Sequence, residues 1–404
     1  MKKRGFFVIA ALFLFVTLFP LGAYAADVYA ILYEDGEMVF QYGDATEPNR
    51  AVKATYEVNL TAVYNSESPA PWYNERKSIR VVNFADKISP GATAYWFYQC
   101  YYIERVDNVQ NLDTSNITNM ESMFAYCYHN LTALDLSSWD TANVTNMRQI
   151  FSGCSGLTAL DLSSWDTANV TDMREMFRGC SGLTMLDLSS FNTAHVVSMG
   201  GMFAGCSELA TLDLSSFSTT RVNGMAGMFN GCKKLTELDL SSFNVWVNDG
   251  GSMFMDCISL KTIYTSDRLH FNQPFVEIFQ NCIFLVGGNG TKYDKSHINR
   301  DYAEIDRVST PGYFTYKAAP VAYAITAAAP ENGKLSVTLT NPGAATLAVS
   351  YFADNGKFVS AILQSVDANA GTVTLELAAG AKTARVMLLD SDFRPLCAAY
   401  SVGL

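Results

Sequence analysis

The sequence is poor in the residue groups from which most catalytic and metal sites are built. Its four histidines are scattered singly, and none belongs to an H-x-x-x-H or C-x-x-C pair that could ligate a metal. It contains no G-x-S-x-G motif, no P-loop and no paired cysteine and histidine with an orienting group. Basic residues are scarce as well, at 28 Lys+Arg against 39 Asp+Glu. The sequence therefore predicts no enzyme, no cofactor and no metal, and it disfavours nucleic acid as a partner.

Only the start of the chain has an apolar run long enough to cross a membrane, and we interpret residues 1–25 as a secretory signal peptide. The positive start MKKR is followed by the apolar GFFVIAALFLFVTLFPLG and the small-residue cleavage site AYA. An uncleaved membrane anchor is the alternative, but no charged stop follows. Cleavage removes three basic residues and no acid, which leaves 25 against 39 and a formal charge near −14. We predict a secreted or extracellular protein without membrane insertion after cleavage.

Nearly identical segments follow one another through the middle of the chain, and LTALDLSSWDTANVTDMREMFRGC represents them. A fixed period of this size is typical of stacked repeats, each too small to bury its own apolar face. The cysteines that end successive segments are 25–27 residues apart. They are Cys127, Cys154, Cys180, Cys206, Cys232 and Cys257, and Cys100 and Cys282 continue the phase outward.

Each repeat contains two different apolar periodicities. The LxxLxL segment at 157–162 ends in apolar–polar alternation, which predicts a short strand with one buried face. In 173–180 the apolar residues recur at i, i+3, i+4 and i+7, which predicts a short helix ending near Gly179. The predicted fold class is thus an α/β leucine-rich-repeat solenoid of short parallel strands plus short helices, over residues 91–285. One expected aromatic ladder is Phe124, Phe151, Phe177, Phe203, Phe229 and Phe254.

The flanking regions read as strand-rich. Residues 26–90 predict an N-terminal cap that begins with a hairpin around Asp35-Gly36, and residues 286–317 predict the C-terminal cap of the solenoid. In residues 318–404 several short segments alternate at period two between turn residues. That pattern predicts an all-β sandwich of immunoglobulin-like type.

Nine cysteines in a secreted protein would ordinarily indicate a disulfide framework, but their spacing favours free thiols. Nine is odd, and eight of the cysteines share one phase of the repeat. Stacking would bring neighbours within disulfide reach, yet each cysteine lies among Met and Phe, where it acts as a small buried hydrophobe. We predict free buried thiols, with occasional neighbour pairs as the alternative.

An aspartate recurs on the outward side of the LDLS segment, and stacked carboxylates should raise one another's pKa unless donors or a cation offset the repulsion. Each Asp either bonds to its own turn or contributes to a cation- or ligand-binding face. Equivalent positions are poor candidates for an acid/base pair, which needs two different environments. The candidate binding face comprises Asp135, Ser137, Asp161, Ser163, Met185, Asp187, Ser189, Thr211, Asp213, Ser215, Glu237, Asp239 and Ser241.

The stretch LDLSSWDTANVTDMREMFRGCSGLTMLDLSSF resembles the repeat of the BspA-like leucine-rich-repeat surface proteins, which is built on LDLSxFDTSxVTxMxxMFxxC. The resemblance covers about residues 90–285. It implies a secreted or surface-displayed bacterial protein of a group linked to adhesion to host proteins, host cells or other bacteria, and it brings no catalytic residues. No LPxTG-type sorting signal precedes the final SVGL, so release into the medium is an alternative to surface display.

The first functional hypothesis is therefore a secreted or surface-displayed bacterial adhesion protein. It would use a solenoid face to bind an extracellular protein or a cell-surface ligand. The alternative is a non-catalytic cell-envelope or matrix spacer that assembles through its C-terminal β-sandwich. An enzyme of unrecognised type is the third hypothesis.

Overall fold

A computed structural model describes residues 27–317, 324–331, 334–340, 345–353, 357–366, 372–389 and 400–404. The predicted signal peptide and Cys397 lie outside these described residues. The chain divides into two compact units, Met1–Ala318 and Ala319–Leu404. Within the described residues, no helix has the length and apolar character that a membrane crossing requires.

The first unit begins with a five-stranded mixed sheet of order β3-β1-β2-β4-β5. Its strands are β1 (Val28–Tyr33), β2 (Glu37–Tyr42), β3 (Val52–Glu57), β4 (Val81–Phe84) and β5 (Arg105–Asp107). The hairpin predicted around Asp35 and Gly36 is confirmed: β1 and β2 are antiparallel, and the Gly36 N–H donates to the Tyr33 carbonyl at 3.0 Å. The left-handed φ of +91° at Gly36 suits such a turn.

An aromatic cluster joins this sheet to the first repeat. The Trp72 ring lies 5.3 Å from Phe40 and 5.8 Å from Trp96, between ring centroids. The Trp72 indole N–H donates to the Trp96 carbonyl at 2.6 Å. Because these rings are buried, the sheet and the repeats share one continuous apolar core.

The repeats lie side by side, and like residues form ladders. Single parallel bridges link equivalent positions across successive repeats, and neighbouring Phe rings stack with centroids 5.8–6.3 Å apart. The predicted phenylalanine ladder is thus confirmed. The bridged positions are Asn119, Asn146, Asp172, Ser198, Gly224 and Asp249.

The predicted fold class is nevertheless wrong, because the repeats contain neither the short helices nor most of the strands of an α/β leucine-rich-repeat solenoid. The described residues hold no α-helix, only the 3-10 helices Tyr73–Glu75, Val109–Asn111 and Arg300–Tyr302. Within residues 91–285 strands occur only at β5, near the start, and in the last repeats, where β6 and β8 form a parallel set with β10 and β7 pairs with β9. The strands of these last sets are β6 (Glu237–Leu240), β7 (Val245–Val247), β8 (Thr262–Thr265), β9 (Leu269–Phe271) and β10 (Phe314–Tyr316).

Two left-handed residues in each repeat explain why no helix forms. In 173–180, Glu175 has φ +55° and Gly179 has φ +71°. The N–H groups of Glu175, Phe177 and Gly179 donate to carbonyls of the next repeat at 2.6–2.9 Å, and not to the i−4 carbonyls of a helix. The intervening N–H groups close i−3 turns. Each segment is therefore a layer of turns whose hydrogen bonds run between repeats.

The second unit consists of two antiparallel sheets, of order β11-β12-β15 and β14-β13-β16-β17. Leu335 and Val337 of one sheet and Leu347, Val349 and Val386 of the other belong to one buried cluster. This unit therefore has an apolar core of its own. Its strands are β11 (Ala324–Glu331), β12 (Lys334–Thr340), β13 (Ala345–Phe352), β14 (Phe358–Val366), β15 (Thr372–Glu376), β16 (Thr383–Leu389) and β17 (Tyr400–Gly403).

Candidate functional site

The aspartates of the predicted binding face are bonded within their own turns. In each LDLS segment one Asp oxygen accepts the N–H of the serine two residues later at 2.9–3.1 Å. The hydroxyl and N–H of Ser163 lower the pKa of Asp161. The N–H and hydroxyl of Ser189 do the same to Asp187, against a smaller opposing effect of Asp161. Neighbouring carboxylates do oppose one another's ionisation, since Asp161 acts to raise the pKa of Asp135 and Asp187, but the serine donors of the same turns outweigh this repulsion.

The structure keeps most of the predicted face in one exposed row. Met185 is 67% exposed, and the Asp and Ser side chains from 135 to 215 are exposed as well. The row ends at Asp239, which is half-buried and ion-paired with Lys317, and at Ser241, which is buried. Burial opposes ionisation of Asp239, but the donors Lys317 and Ser241 together lower its pKa. The last repeat thus contributes less open surface than the sequence predicts.

The eight cysteines that share one position of the repeat lie in the core, which confirms their predicted burial. The Cys180 thiol donates to the Phe151 carbonyl of the preceding repeat at 3.1 Å, and the equivalent bond recurs along the stack. Burial raises the pKa of Cys154, Cys206 and Cys257 to about 12. A protonated, enclosed thiol is a poor nucleophile and a poor metal ligand. Among the described residues, no three His, Cys, Asp or Glu side chains converge as metal ligands would.

A groove of about 1130 Å³ opens on the side of the repeats that carries the turns, and sequence reasoning missed it. Its lining spans residues 171–256, from four successive repeats. Two of them carry mainly glycine and alanine at the floor. The floor consists of Gly200, Gly201, Ala204 and Gly205 in one repeat and Ala226, Gly227, Asn230 and Gly231 in the next.

Comparison with the preceding repeat shows how the groove arises. At the outward positions where that repeat carries Arg174, Glu175 and Arg178, the next two carry mainly Gly and Ala. The groove therefore begins where the long side chains of this repeat end, and the small residues that follow leave backbone exposed at its floor. The signal was visible in the sequence: GMAGMFNGC and SMGGMFAGC replace DMREMFRGC, and glycines at this density disfavour the helix that we predicted.

Charged side chains form the groove walls. On one wall Arg178 pairs with Glu175 at 3.1 Å, and Arg174 pairs with Asp172. The other wall carries Asp249 and Asp256. Both arginines are held by carboxylates, and Lys233 is the third cation against four carboxylates in the lining, so the groove has a mixed polar lining more than a cationic one. Such a surface suits recognition of a polar ligand at close range to the backbone.

Comparison with known proteins finds a similarity for the repeat region alone. Residues 92–186 and 181–283 each match the sequence profile of the family described as Mycoplasma protein of unknown function, DUF285. Searches among curated proteins and among solved structures gave no significant match. The two matched stretches include both the groove and the exposed Asp/Ser row. The region that carries the candidate sites is thus similar to DUF285 domains.

Proposed function

We propose that the protein is a secreted or surface-displayed bacterial binding protein whose groove holds an extracellular partner. One observation carries the proposal: two adjacent repeats carry mainly Gly and Ala at the outward positions where the repeat before them carries Arg and Glu, and a groove of about 1130 Å³ opens there. A gap of this size accommodates a ligand without rearrangement of the repeats. The signal-peptide prediction, the acidic mature chain and the resemblance to BspA-like surface proteins support an extracellular adhesion role.

The groove is a better candidate than the Asp/Ser row as the main contact surface. In that row the carboxylates already accept hydrogen bonds from their own serines, so a partner would compete with bonds that shape the turn. The row consists of single exposed side chains, and none of its residues lines the groove. If the Asp/Ser row bound a partner, its variable positions Met185, Thr211 and Glu237 would determine which partner it recognises.

Filling the groove should abolish binding without disturbing the fold. Ala226→Arg places in the floor the residue that stands at the equivalent position two repeats earlier, Arg174, and Ala226 has an ordinary φ. We expect at least a tenfold loss of binding by residues 26–404 to the cells, matrix proteins or bacteria that the unaltered protein binds. Surface-immobilised protein and a dose series of each target give the measurement.

Two variants separate the groove from other surfaces. Ala210→Arg makes the same chemical change at an exposed site outside the groove lining and should bind normally. The triple variant of Asp161, Asp187 and Asp213 to Ala tests the exposed row. If this triple variant loses binding and its salt sensitivity while Ala226→Arg keeps both, the Asp/Ser row is the binding surface and the groove is not.

A further inference from the structure

One tryptophan stands apart from the other four. Trp246 is 59% exposed, whereas Trp72, Trp96, Trp139 and Trp165 are at most 2% exposed. It lies on β7, where Val245 and Val247 point into the core and Trp246 therefore points outward. Leaving so large an apolar ring in water is unfavourable, which makes its position a candidate for ligand contact.

The Trp246 ring is held as a platform. The ring of His270, on the paired strand β9, stacks against it with centroids 4.2 Å apart and an interplanar angle of 25°. Because this contact restricts the side chain, a ligand that packs on the indole would lose less ordering entropy.

The surroundings of the platform are polar. Asn244, Asn248 and Asn272 are exposed beside it, and the Asn272 side-chain amide donates to the Asn248 side-chain carbonyl at 2.9 Å. That bond leaves the carbonyl of Asn272 and the amide group of Asn248 unused by the pair. An aromatic ring bordered by amides matches a sugar, which has a face of C–H groups and a rim of hydroxyls. A hydrophobic protein contact would instead find apolar neighbours around the ring.

The platform adjoins the groove. The Asn248 N–H donates to the carbonyl of Asn223, a groove-lining residue, at 3.2 Å. Side chains two residues apart on one face of a strand are about 7 Å apart, so Trp246 lies roughly one sugar ring beyond Asn248. A chain of several sugars can therefore run from the platform into the groove. The groove lining holds four carboxylates, of Asp172, Glu175, Asp249 and Asp256, against three cations, of Arg174, Arg178 and Lys233, so an anionic chain gains no net attraction there.

We propose that the repeat region binds a neutral oligosaccharide of hexoses or N-acetylhexosamines with equatorial substituents, with one ring stacked on Trp246 and the chain continuing into the groove. This inference rests on the proposed function and names the chemical class of the partner. The asparagines beside Trp246 bind the hydroxyls, and the glycine floor lets the following sugars approach the backbone.

Quenching of tryptophan fluorescence reports on this site selectively, because an added quencher reaches Trp246 while burial protects the other four tryptophans. Acrylamide quenching should fall at least twofold when β-1,4-linked tetramers of N-acetylglucosamine or of glucose saturate the protein. Trp246→Ala should bind the effective tetramer at least tenfold more weakly by calorimetry, with an unchanged urea midpoint. Phe284→Ala removes another exposed aromatic side chain, 57% exposed, and should leave the affinity unchanged.

The outcomes distinguish this inference from the proposed function. If neither tetramer protects Trp246 and Trp246→Ala still binds cells, the oligosaccharide inference is wrong. Loss of cell binding in Ala226→Arg would then still support a groove, with a protein as its occupant. Protection by an anionic tetramer of galacturonic acid alone would overturn the assignment of a neutral ligand. If Ala226→Arg and Trp246→Ala both bind cells normally, both proposals fail.

Discussion

Raising the pH above 9 should destabilise the folded protein steeply. Burial raises the pKa of Cys154, Cys206 and Cys257 from 9.0 to about 12. Above pH 9 the unfolded chain releases these protons while the folded chain retains them, so the free energy of unfolding falls as the pH rises towards 12. Each thiol lowers the free energy of unfolding by roughly 1.4 kcal/mol per pH unit, and the three together lower it by roughly 4 kcal/mol per pH unit. That slope is large against a typical stability of about 5–15 kcal/mol.

Urea unfolding followed by circular dichroism from pH 7 to pH 11 measures this effect. The midpoint should be nearly constant below about pH 8 and then fall. Burial also raises the pKa of Tyr95 and Tyr98, which adds to the alkaline slope with the same sign. Cys206→Ala isolates one thiol and should reduce the slope by roughly 1.4 kcal/mol per pH unit, whatever it costs at neutral pH. An unchanged slope in this variant would show that the thiols do not govern the alkaline transition.

The sequence predicts the buried side chains of the repeats but not their backbone. Met173, Met176, Phe177 and Cys180 are fully buried, as the i, i+3, i+4, i+7 spacing predicts. A layer of two successive tight turns buries the same positions as a helix, so periodicity cannot separate the two structures. Left-handed φ at Glu175, which is not a residue that favours that region, could not be foreseen from one sequence.

Stacking is what makes such a backbone stable. A helix satisfies its own N–H groups, whereas here half of them need the next repeat, such as the Phe177 N–H on the Met202 carbonyl at 2.9 Å. The sequence of a single repeat therefore predicts a helix. Only the hydrogen bonds between repeats make the layer of turns more stable than that helix. The same limit explains the missed groove, because Gly200 and Ala226 matter through the arginine that they replace. Trp246 escaped notice for a simpler reason: a lone aromatic residue in a sequence predicts burial.

Phe177→Ala should be among the most destabilising single substitutions in the repeats. The ring is fully buried, and its centroid lies 5.9 Å from those of both Phe151 and Phe203. Removing it leaves a cavity bounded by two repeats whose backbones are tied together by hydrogen bonds, so little collapse can occur. We expect a loss of about 3–5 kcal/mol in the free energy of unfolding. Met176→Leu keeps the buried volume and should cost less than about 1.5 kcal/mol.

A double-mutant cycle tests whether the ladder acts through neighbour contacts. Phe177 and Phe203 touch, so their Ala variants should couple by about 0.5–3 kcal/mol. Phe124 and Phe229 are separated by three intervening rings of the ladder, and their effects should add within about 0.5 kcal/mol. Urea unfolding of the four single and two double variants gives both coupling energies. Equal coupling for the two pairs would contradict a ladder of nearest-neighbour contacts and would indicate that the phenylalanines act through the whole repeat region at once.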